Sequence, residues 1–293
     1  MTLFLMTKKG LAVLQALIDN DMASMVDLVV GARDRSVQQD YYGEIKDLCK
    51  TSEISFYDKN NFLHTNSDYA IAVSWRWLID LPLTELIIFH DSLLPKYRGF
   101  NPLVSCLLNK EKEIGVTALF ATEEFDKGDI IQRSSTKIKH PVELNDAVDL
   151  ITENYQALAI DIVTKIKNGE NLNAIPQIEE QATYSVWRDE RDYRIDWTKD
   201  ADYISRFVKA LGAPYNGASS LMDGKLVRIL EATPLEDVVL ENRFAGKLLF
   251  KHGDYPVVIC GHDNGAGLLR LTSVVDEDDN ELLPLKKYRV RFE

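Results

Sequence analysis

Two segments of the chain carry side chains that could transfer protons. His90 directly follows the apolar run Leu86–Phe89, and Asp126 lies in a loop after the apolar run Val116–Phe120. A histidine titrates near neutrality and can act as acid or base, and open parallel sheets bind ligands at the carboxyl ends of their strands. If both runs belong to one sheet, the imidazole and the carboxylate can meet. Each residue also has a purely structural explanation. His90 can cap a loop, and Asp126 can belong to an ordinary surface turn.

The elements that would position these residues follow an alternating pattern. Apolar runs of strand length alternate with stretches of helical periodicity, which favours parallel pairing through right-handed crossovers. The predicted strands of this half are Leu3–Met6, Val26–Val30, Ile54–Tyr57, Tyr69–Val73, Leu86–Phe89 and Val116–Phe120, followed by a strand pair at Ile130–Gln132 and Ser135–Ile138. The pattern predicts an α/β domain with a mostly parallel sheet covered on both faces.

Helices are predicted between these strands and after them. Leu11–Ile18 and Gly43–Cys49 show helical spacing, and Pro102–Leu108 has Asn101 as its N-cap. Leu144–Ile166 predicts one long amphipathic helix. The polar stretch Gly169–Gln181 that follows is interpreted as a linker.

The pattern changes in the last third of the chain. A short helix at Ala201–Leu211 is followed by closely spaced strand-like runs with turn residues between them, which favours a small antiparallel barrel. These runs are Ala218–Met222, Leu226–Ala232, Gly246–Phe250, Val257–Cys260 and Gly267–Ser273. We therefore predict two domains, residues 1–190 and a smaller, mainly β domain at 191–293.

Composition narrows the class of protein. The chain has 293 residues, 45% of them hydrophobic and 27% charged, which is ordinary for a globular protein. The formal net charge of −12 argues against a surface built mainly for polyanions. Three widely spaced cysteines favour a reduced, cytoplasmic protein without metal. No signal peptide or membrane span is expected, since no apolar run is long enough.

The two chemical segments together resemble a known family. The run His-Asp-Ser-Leu-Leu-Pro-Lys-Tyr-Arg-Gly at 90–99, Gly-Val-Thr at 115–117 and Asp-Lys-Gly-Asp-Ile at 126–130 are similar to the N10-formyltetrahydrofolate-dependent formyltransferases. This family includes sugar N-formyltransferases, methionyl-tRNA formyltransferase and glycinamide ribonucleotide formyltransferase. The resemblance implies a Rossmann-like catalytic domain that binds formyl-folate, followed by a mainly β, OB-like C-terminal domain.

The resemblance also implies residue roles. His90 matches the histidine that polarises the formyl oxygen, and Asp126 matches the aspartate that assists deprotonation of the attacking amine. Ile88 stands where the family has an asparagine that helps to hold the formyl oxygen, and isoleucine cannot donate a hydrogen bond. Ser92 and Asn101 are the polar residues in the same segment that could substitute for it.

Binding residues follow from the same resemblance. The folate loop is matched by Trp75, Arg76, Trp77, Leu78 and Ile79, and the wall facing it by Phe120, Ala121, Thr122, Glu123 and Phe125. Flat ligands suit such apolar walls, although packing in the protein core explains either tryptophan equally well. The acceptor is expected to contact Lys8, Lys9, Ser92, Arg98 and Asn101, with the three cations meeting a diphosphate.

The charge of the predicted C-terminal domain distinguishes between a tRNA acceptor and a sugar-nucleotide acceptor. Residues 198–293 contain 13 Lys and Arg against 15 Asp and Glu, which is unfavourable for a tRNA-binding surface. We therefore expect a sugar N-formyltransferase, a homodimer acting on a UDP- or dTDP-linked amino-dideoxy sugar in surface glycan or lipopolysaccharide synthesis, with no nucleic-acid or membrane partner. The alternatives are methionyl-tRNA formyltransferase and a non-catalytic homologue that binds folate or a sugar nucleotide.

Overall fold

The computed structural model describes residues 1–35 and 37–293 and divides them into two compact units. The first unit comprises residues 1–106, 111–138 and 146–187, and the second comprises 107–110, 139–145 and 188–293. The main change of unit thus lies close to the division predicted at residue 190. No hydrophobic pattern marks the two short earlier segments as parts of the second unit.

A seven-stranded sheet forms the centre of the first unit. Its strands are β1 (Thr2–Leu5), β2 (Leu28–Gly31), β3 (Ser55–Asp58), β4 (Tyr69–Val73), β5 (Glu85–His90), β7 (Glu113–Phe120) and β8 (Ile130–Lys137), and a separate pair is formed by β6 (Arg98–Gly99) and β9 (Tyr184–Ser185). The strand order is β3-β2-β1-β4-β5-β7-β8. The first five strands of this order are parallel, which confirms the predicted mostly parallel, Rossmann-like sheet.

Four helices are interspersed with these strands. They are α1 (Thr7–Asp19), α2 (Tyr42–Thr51), α3 (Pro102–Leu108) and α4 (Leu144–Lys167). In α1, the residues Gly10, Val13, Leu14 and Leu17 are buried, which is the spacing of a single helix face. The predicted helix beginning at Pro102 has the same bounds in the structure.

The last two strands of the sheet depart from the prediction. β7 is antiparallel to β5, with Ile87 opposite Phe120 and His90 opposite Thr117. The β7 strand therefore ends near the start of β5, where the Ala121 N–H donates to the Leu86 carbonyl at 2.8 Å. Hence Asp126 reaches His90 through a loop that runs back along the sheet. The strand pair predicted around 130–138 is instead the single strand β8, antiparallel to β7.

The second unit is built on a five-stranded antiparallel sheet. After helix α5 (Ala201–Ala210), the chain forms β10 (Ala218–Met222), β11 (Lys225–Leu235), β12 (Leu248–His252), β13 (Tyr255–Ile259) and β14 (Leu268–Val275). Their order is β10-β11-β14-β13-β12, so β10 and β12 are the two outer strands. This arrangement confirms the predicted small, mainly β domain.

The segment 290–293 joins the two outer strands of this sheet. The Glu293 N–H donates to the Leu221 carbonyl at 2.9 Å, and the Leu221 N–H donates back at 2.8 Å. On the other side, the Leu248 N–H donates to the Val290 carbonyl at 3.0 Å. The segment thereby pairs with both edges and closes the sheet, as expected for an OB-like barrel.

No helix within residues 1–35 and 37–293 combines the length and the apolar character needed to cross a bilayer.

Candidate active site

The structure brings the two predicted catalytic side chains together. His90, the last residue of β5, is 7% exposed, and its Nδ1 lies 3.4 Å from Oδ1 of Asp126. The other ring nitrogen, Nε2, lies 2.8 Å from the Tyr97 carbonyl oxygen. A carbonyl can only accept a hydrogen bond, so Nε2 carries the proton and donates. Nδ1 is therefore the ring nitrogen that faces the carboxylate.

The backbone conformation of the loop around Asp126 directs the carboxylate toward His90. Asp126 has φ = 57°, in the left-handed region where aspartate is one of the better tolerated residues. Its Oδ2 accepts a hydrogen bond from the Gly99 N–H at 2.8 Å, which leaves Oδ1 directed at His90. A Cβ at Gly128 would lie 1.7 Å from the Phe120 carbonyl oxygen, so only glycine permits the loop to return this closely.

A second strand pair holds the segment that contacts both His90 and Asp126. The short strands β6 and β9 are parallel, pairing Arg98 with Tyr184 and Gly99 with Ser185. A Cβ at Gly99 would lie 2.4 Å from the Ser185 carbonyl oxygen, which excludes any other residue there. The positions of the Gly99 N–H and of the neighbouring Tyr97 carbonyl are thus set by a part of the chain far away in sequence.

The stretch predicted to be a linker contributes to this arrangement. Ile175 pairs with Ile130 through backbone hydrogen bonds of 2.8 and 2.9 Å. Gln177 donates from Nε2 to the carbonyl oxygens of Asp126 at 2.7 Å and Gly128 at 2.8 Å. The interpretation of 169–181 as a linker is therefore wrong, because this stretch is bound to the loop of the first unit that carries Asp126.

Arg98, which the sequence predicts to meet a diphosphate, is buried in the structure. Its side chain is 1% exposed, and Nη1 lies 2.8 Å from Oε2 of Glu179. Nε and Nη2 donate to Oε1 of Gln177 at 3.1 and 3.0 Å. Nε, Nη1 and Nη2 of Arg98 are thus engaged inside the first unit, and its binding to a diphosphate stays a prediction.

A buried ion pair lies directly beside His90. The Lys9 ammonium and the Tyr155 hydroxyl both donate to the Asp91 carboxylate, and the side chains of Lys9 and Asp91 are only 13% and 19% exposed. Burial alone raises the pKa of Asp91, but Lys9 and Tyr155 outweigh it and lower that pKa. Burial and the Asp91 charge raise the pKa of Tyr155 well above its usual value. Lys9 thus has a structural partner in this structure, and its assignment to a diphosphate stays a prediction.

Lys8 differs from its neighbour in exposure. It forms an ion pair with Asp149 in which the two side chains are 40% and 49% exposed. An exposed ion pair contributes little to stability, and a ligand anion can replace such a partner at small cost. Lys8 as an acceptor-binding residue therefore stays a prediction.

Ile88 lies two residues before His90 on the same face of β5, and its surroundings are apolar. Ile88 is partly buried and packs against two clusters, one containing Phe4 and Ala72 and the other containing Leu94 and Leu119. It therefore connects the cluster that includes Trp75 and Ile79 of the loop after β4 with the cluster formed by Leu94, Leu119 and Ile130. No hydrogen-bond donor is available at this position.

The two polar residues that could substitute for the missing asparagine differ. Ser92 is 1% exposed and donates its hydroxyl proton to the Lys96 carbonyl at 2.7 Å, so its assignment to substrate is not supported. Asn101 has φ = 49° and directly precedes α3, where its carbonyl accepts the Ser105 N–H at 3.2 Å. The Asn101 side chain as an acceptor ligand stays a prediction.

The predicted folate loop leaves β4 as an aromatic cluster. Trp75 packs edge-on against Phe4 and Trp77, with ring centroids 5.1 and 5.3 Å apart. Trp77 is 39% exposed, and Leu78 beyond it is 82% exposed. Ile79 packs against the same core cluster, and Arg76 is ion-paired with the buried Asp34 at 2.6 Å. The loop therefore has a packed base and an apolar outer surface.

The loop after β7 has a similar character. Phe120 is partly buried, and the Phe125 side chain beside Asp126 is 66% exposed. Ala121, Thr122 and Glu123 are exposed between them. Exposed apolar side chains on two loops beside the His90–Asp126 pair suit a flat, partly apolar ligand. The binding roles of both loops stay predictions.

Comparison with known proteins agrees with this site. Residues 59–161 match the protein family described as "formyl transferase". Residues 189–281 match the family described as "formyl transferase, C-terminal domain". A methionyl-tRNA formyltransferase from Fusobacterium nucleatum is 26% identical over 222 residues, covering 71% of this chain and 71% of its own. Against two further methionyl-tRNA formyltransferases, the chain spans 62% of the relative's length.

Two solved structures share the fold. An N-formyltransferase from Helicobacter canadensis, in complex with folinic acid and dTDP-3-aminofucose, has a TM-score of 0.66 at 16% identity, over 92% of this chain and 97% of that one. A methionyl-tRNA formyltransferase from Clostridium thermocellum has a TM-score of 0.53 at 14% identity, over 90% and 98%. With the two domain matches covering more than half of the sequence and the His90–Asp126 pair in place, this chain belongs to the formyl transferase family, a family of enzymes.

Proposed function

We propose that the protein transfers a formyl group from N10-formyltetrahydrofolate to the amine of a nucleotide-linked amino-dideoxy sugar. The observation that carries the reaction is the 3.4 Å approach of His90 Nδ1 to Asp126 Oδ1 beside two loops with exposed apolar side chains. Formyl transfer to an amine develops a negative oxygen and a positive nitrogen together. A paired imidazole and carboxylate serve both charges.

The bonds and protons can be followed through this pair. The acceptor amine attacks the formyl carbon, and Asp126 takes a proton from that nitrogen as the new C–N bond forms. As an imidazolium whose Nε2–H stays bonded to the Tyr97 carbonyl, His90 donates a hydrogen bond from Nδ1–H to the developing oxyanion and keeps both of its protons. The bond from the formyl carbon to N10 then breaks, and N10 takes up the proton that Asp126 removed from the amine. Because Ile88 supplies no donor, His90 carries the stabilisation that the family divides between two side chains.

The formyl donor is supported by the surface around this pair. Trp77, Leu78 and Phe125 expose apolar side chains, and such groups hold a flat ring system through the hydrophobic effect. Arg76, held by Asp34, adds a partly exposed cation in the first of the two loops, beside which an anionic tail could lie. The folate brings the activated formyl group, and the protein's own residues position it and move protons.

The acceptor is supported by charge and by structural likeness. A protein with a net charge of −12 suits a small sugar nucleotide better than a large polyanion. The Helicobacter canadensis enzyme, which binds a dTDP-linked amino sugar, matches almost end to end and with the higher of the two TM-scores. With Lys9 and Arg98 engaged internally, Lys8 is the remaining one of the three cations predicted for the diphosphate.

Methionyl-tRNA formyltransferase is the second candidate, and one observation on the second unit favours it. Exposed cations are concentrated on and next to the segment that closes the barrel, namely Lys247, Lys286, Lys287, Arg289 and Arg291. The balanced overall charge of residues 198–293 conceals this local strip. The sequence relatives named above are also methionyl-tRNA formyltransferases. A local basic surface can bind a phosphate backbone even on an acidic protein.

A formyl-transfer assay with purified protein separates the candidates. N10-formyltetrahydrofolate is offered together with dTDP- or UDP-linked 3-amino and 4-amino sugars, or with methionyl-tRNA, and formylated product is quantified. We expect turnover with one sugar nucleotide and tRNA binding weaker than micromolar near physiological salt in a gel-shift assay. Turnover with methionyl-tRNA reverses the choice of acceptor, and sugar-nucleotide binding without any turnover identifies a non-catalytic homologue.

The assembly and setting of the enzyme belong to the same proposal. A homodimer is expected, and light scattering on the purified protein measures it directly. Placement in surface glycan synthesis in the cytoplasm follows from the proposed acceptor and is tested once that acceptor is known.

A further inference from the structure

We infer that Gln177 is a positioning residue for the catalytic pair, and that Arg98 anchors it. The inference rests on the proposed function for its kinetic readout, although the geometry stands independently of the acceptor. Gln177 touches neither His90 nor the Asp126 carboxylate. It acts on the backbone that presents that carboxylate.

The carboxamide of Gln177 uses its full hydrogen-bonding capacity. Nε2 donates to the Asp126 and Gly128 carbonyls, and Oε1 accepts two hydrogen bonds from Arg98. An amide has two N–H donors and two lone pairs on oxygen, so none is left over. This arrangement fixes the orientation of the carboxamide and, through it, the two carbonyls on either side of Lys127.

The backbone that Gln177 holds is in an uncommon conformation. Asp126 is in the left-handed region at φ = 57°, and Gly128 makes the close approach to Phe120 described above. Residues in sparsely populated conformations persist only when their surroundings hold them. The two hydrogen bonds from Gln177 span this turn, so they favour the conformation in which Oδ1 faces His90.

Arg98 connects both ends of the arrangement. Its guanidinium holds Gln177, and the next residue's N–H, on Gly99, binds Oδ2 of the same aspartate. Arg98 and Gln177 therefore restrain Asp126 from the backbone side and from the carboxylate side. Such restraint matters because a displacement of about 1 Å in a catalytic group can reduce rate about 100-fold.

The test replaces Gln177 by Met, which has similar length and no hydrogen-bonding N–H. We expect kcat to fall roughly 10- to 100-fold while KM for formyl-folate and acceptor changes less than about threefold. Gln177→Glu, which keeps an oxygen toward Arg98 but has no donor for the two carbonyls, is expected to lose a similar factor. Gln156→Met is the matched control, because Gln156 is also partly buried and donates to one backbone carbonyl, that of Ala12, at 3.3 Å.

A double-mutant cycle distinguishes positioning from a general structural effect. If Gln177 acts through the Asp126 carboxylate, Gln177→Met should change the residual rate of the Asp126→Asn enzyme by less than about threefold. The same loss in both backgrounds, a wild-type rate for Gln177→Met, or a wild-type rate for Gln177→Glu overturns the inference.

A readout without substrate separates this inference from the proposed function. The ring nitrogen resonances of His90, assigned by comparison with His90→Asn, report the carboxylate facing Nδ1 and should shift in Gln177→Met but not in Gln156→Met. If wild-type protein transfers no formyl group while these resonances shift as expected, the proposed function fails and the positioning role stands. Unchanged His90 resonances in Gln177→Met overturn the positioning role whatever the acceptor.

Discussion

Two carboxylates lie near His90 and are held in opposite ways. Asp91 is largely buried and receives the Lys9 ammonium and the Tyr155 hydroxyl, so its charge is compensated within the core. Asp126 has one oxygen bonded to the Gly99 N–H and the other 3.4 Å from an imidazole. The first carboxylate has its partners at contact distance, whereas the second has one oxygen at the longer distance of 3.4 Å from the His90 imidazole.

The difference shows that two carboxylates near the end of β5 can have separate roles, one in stability and one in the proposed reaction. A buried carboxylate with a full set of partners is costly to disturb, because removing one partner leaves an uncompensated charge. A carboxylate oxygen with a loose partner can accept a proton without breaking the surrounding structure. The Asp91 cluster therefore fixes the end of β5, and Asp126 is the carboxylate that we propose to take part in the reaction.

The largest expected effect comes from removing the partner of the buried carboxylate. Lys9→Met should lower the free energy of unfolding by about 3 kcal/mol, since Asp91 is left buried with only the Tyr155 hydroxyl. Chemical denaturation measures the change, and Lys8→Met is the matched control, expected to cost less than about 1 kcal/mol because its ion pair is exposed. Equal losses in the two variants would show that burial does not separate the two lysines.

The reactive side of the comparison is probed by His90→Asn and Asp126→Asn. Each should lower turnover by roughly 100-fold or more while the melting temperature changes little, because neither side chain carries a fully compensated buried charge. Steady-state formyl transfer and thermal unfolding are measured on the same preparations. Near-wild-type turnover in either variant removes that residue from the mechanism.

Ile88→Asn should have a smaller effect and tests the apolar neighbour of the pair. The new amide is placed between two apolar clusters, which should cost about 1–3 kcal/mol of stability if it stays unpaired. Any rate gain should be small, because the surrounding groups are arranged for isoleucine. A gain of roughly 100-fold, the effect of one oxyanion donor, would mean that the native site lacks a needed group and would favour the binding-protein alternative.

The smallest effect is a shift in acid stability. The pKa of Asp91 is lowered in the folded protein, so its stabilising contribution is present above its ordinary value of 3.8 and is lost as pH falls through the lower folded value. In Lys9→Met the burial that raises this pKa is no longer outweighed, so the folded variant takes up this proton at higher pH than wild type, and its stability deficit relative to wild type should shrink as pH falls. Chemical denaturation of both proteins at several pH values between 2 and 6 measures this deficit, and a deficit that does not change with pH contradicts the assignment of the lowered pKa to Lys9.

Much of the fold could be predicted because buried strands have local signatures. Tyr69–Val73 and Ala218–Met222 are predicted to the residue, since each is a short run bounded by turn-forming residues. Strand direction has no such signature, and the antiparallel β7 was therefore missed. The sequence predicts that Asp126 approaches His90 because both follow strands of one parallel sheet, whereas the structure brings them together through the loop that follows the antiparallel β7.

The supports of the site were harder to predict than its reactive groups. Gln177 lies in a polar stretch typical of a linker, and its bonds go to backbone carbonyls some 50 residues away, which no side-chain pattern reveals. Arg98, predicted as a phosphate ligand, is buried by Gln177 and Glu179. Neither Pro176 in this stretch nor Thr183 just after it indicates from the sequence that the stretch is bound to the loop that carries Asp126.

The closure of the small barrel by 290–293 bears on how the protein can be handled. Without this segment, β10 and β12 would each present unpaired backbone N–H and carbonyl groups along an open edge. Open edges of this kind recruit strands from other molecules and lead to aggregation. An affinity tag or fusion at this end is therefore better joined through a spacer that leaves Glu293 paired with Leu221. A variant that lacks residues 290–293 should be poorly soluble.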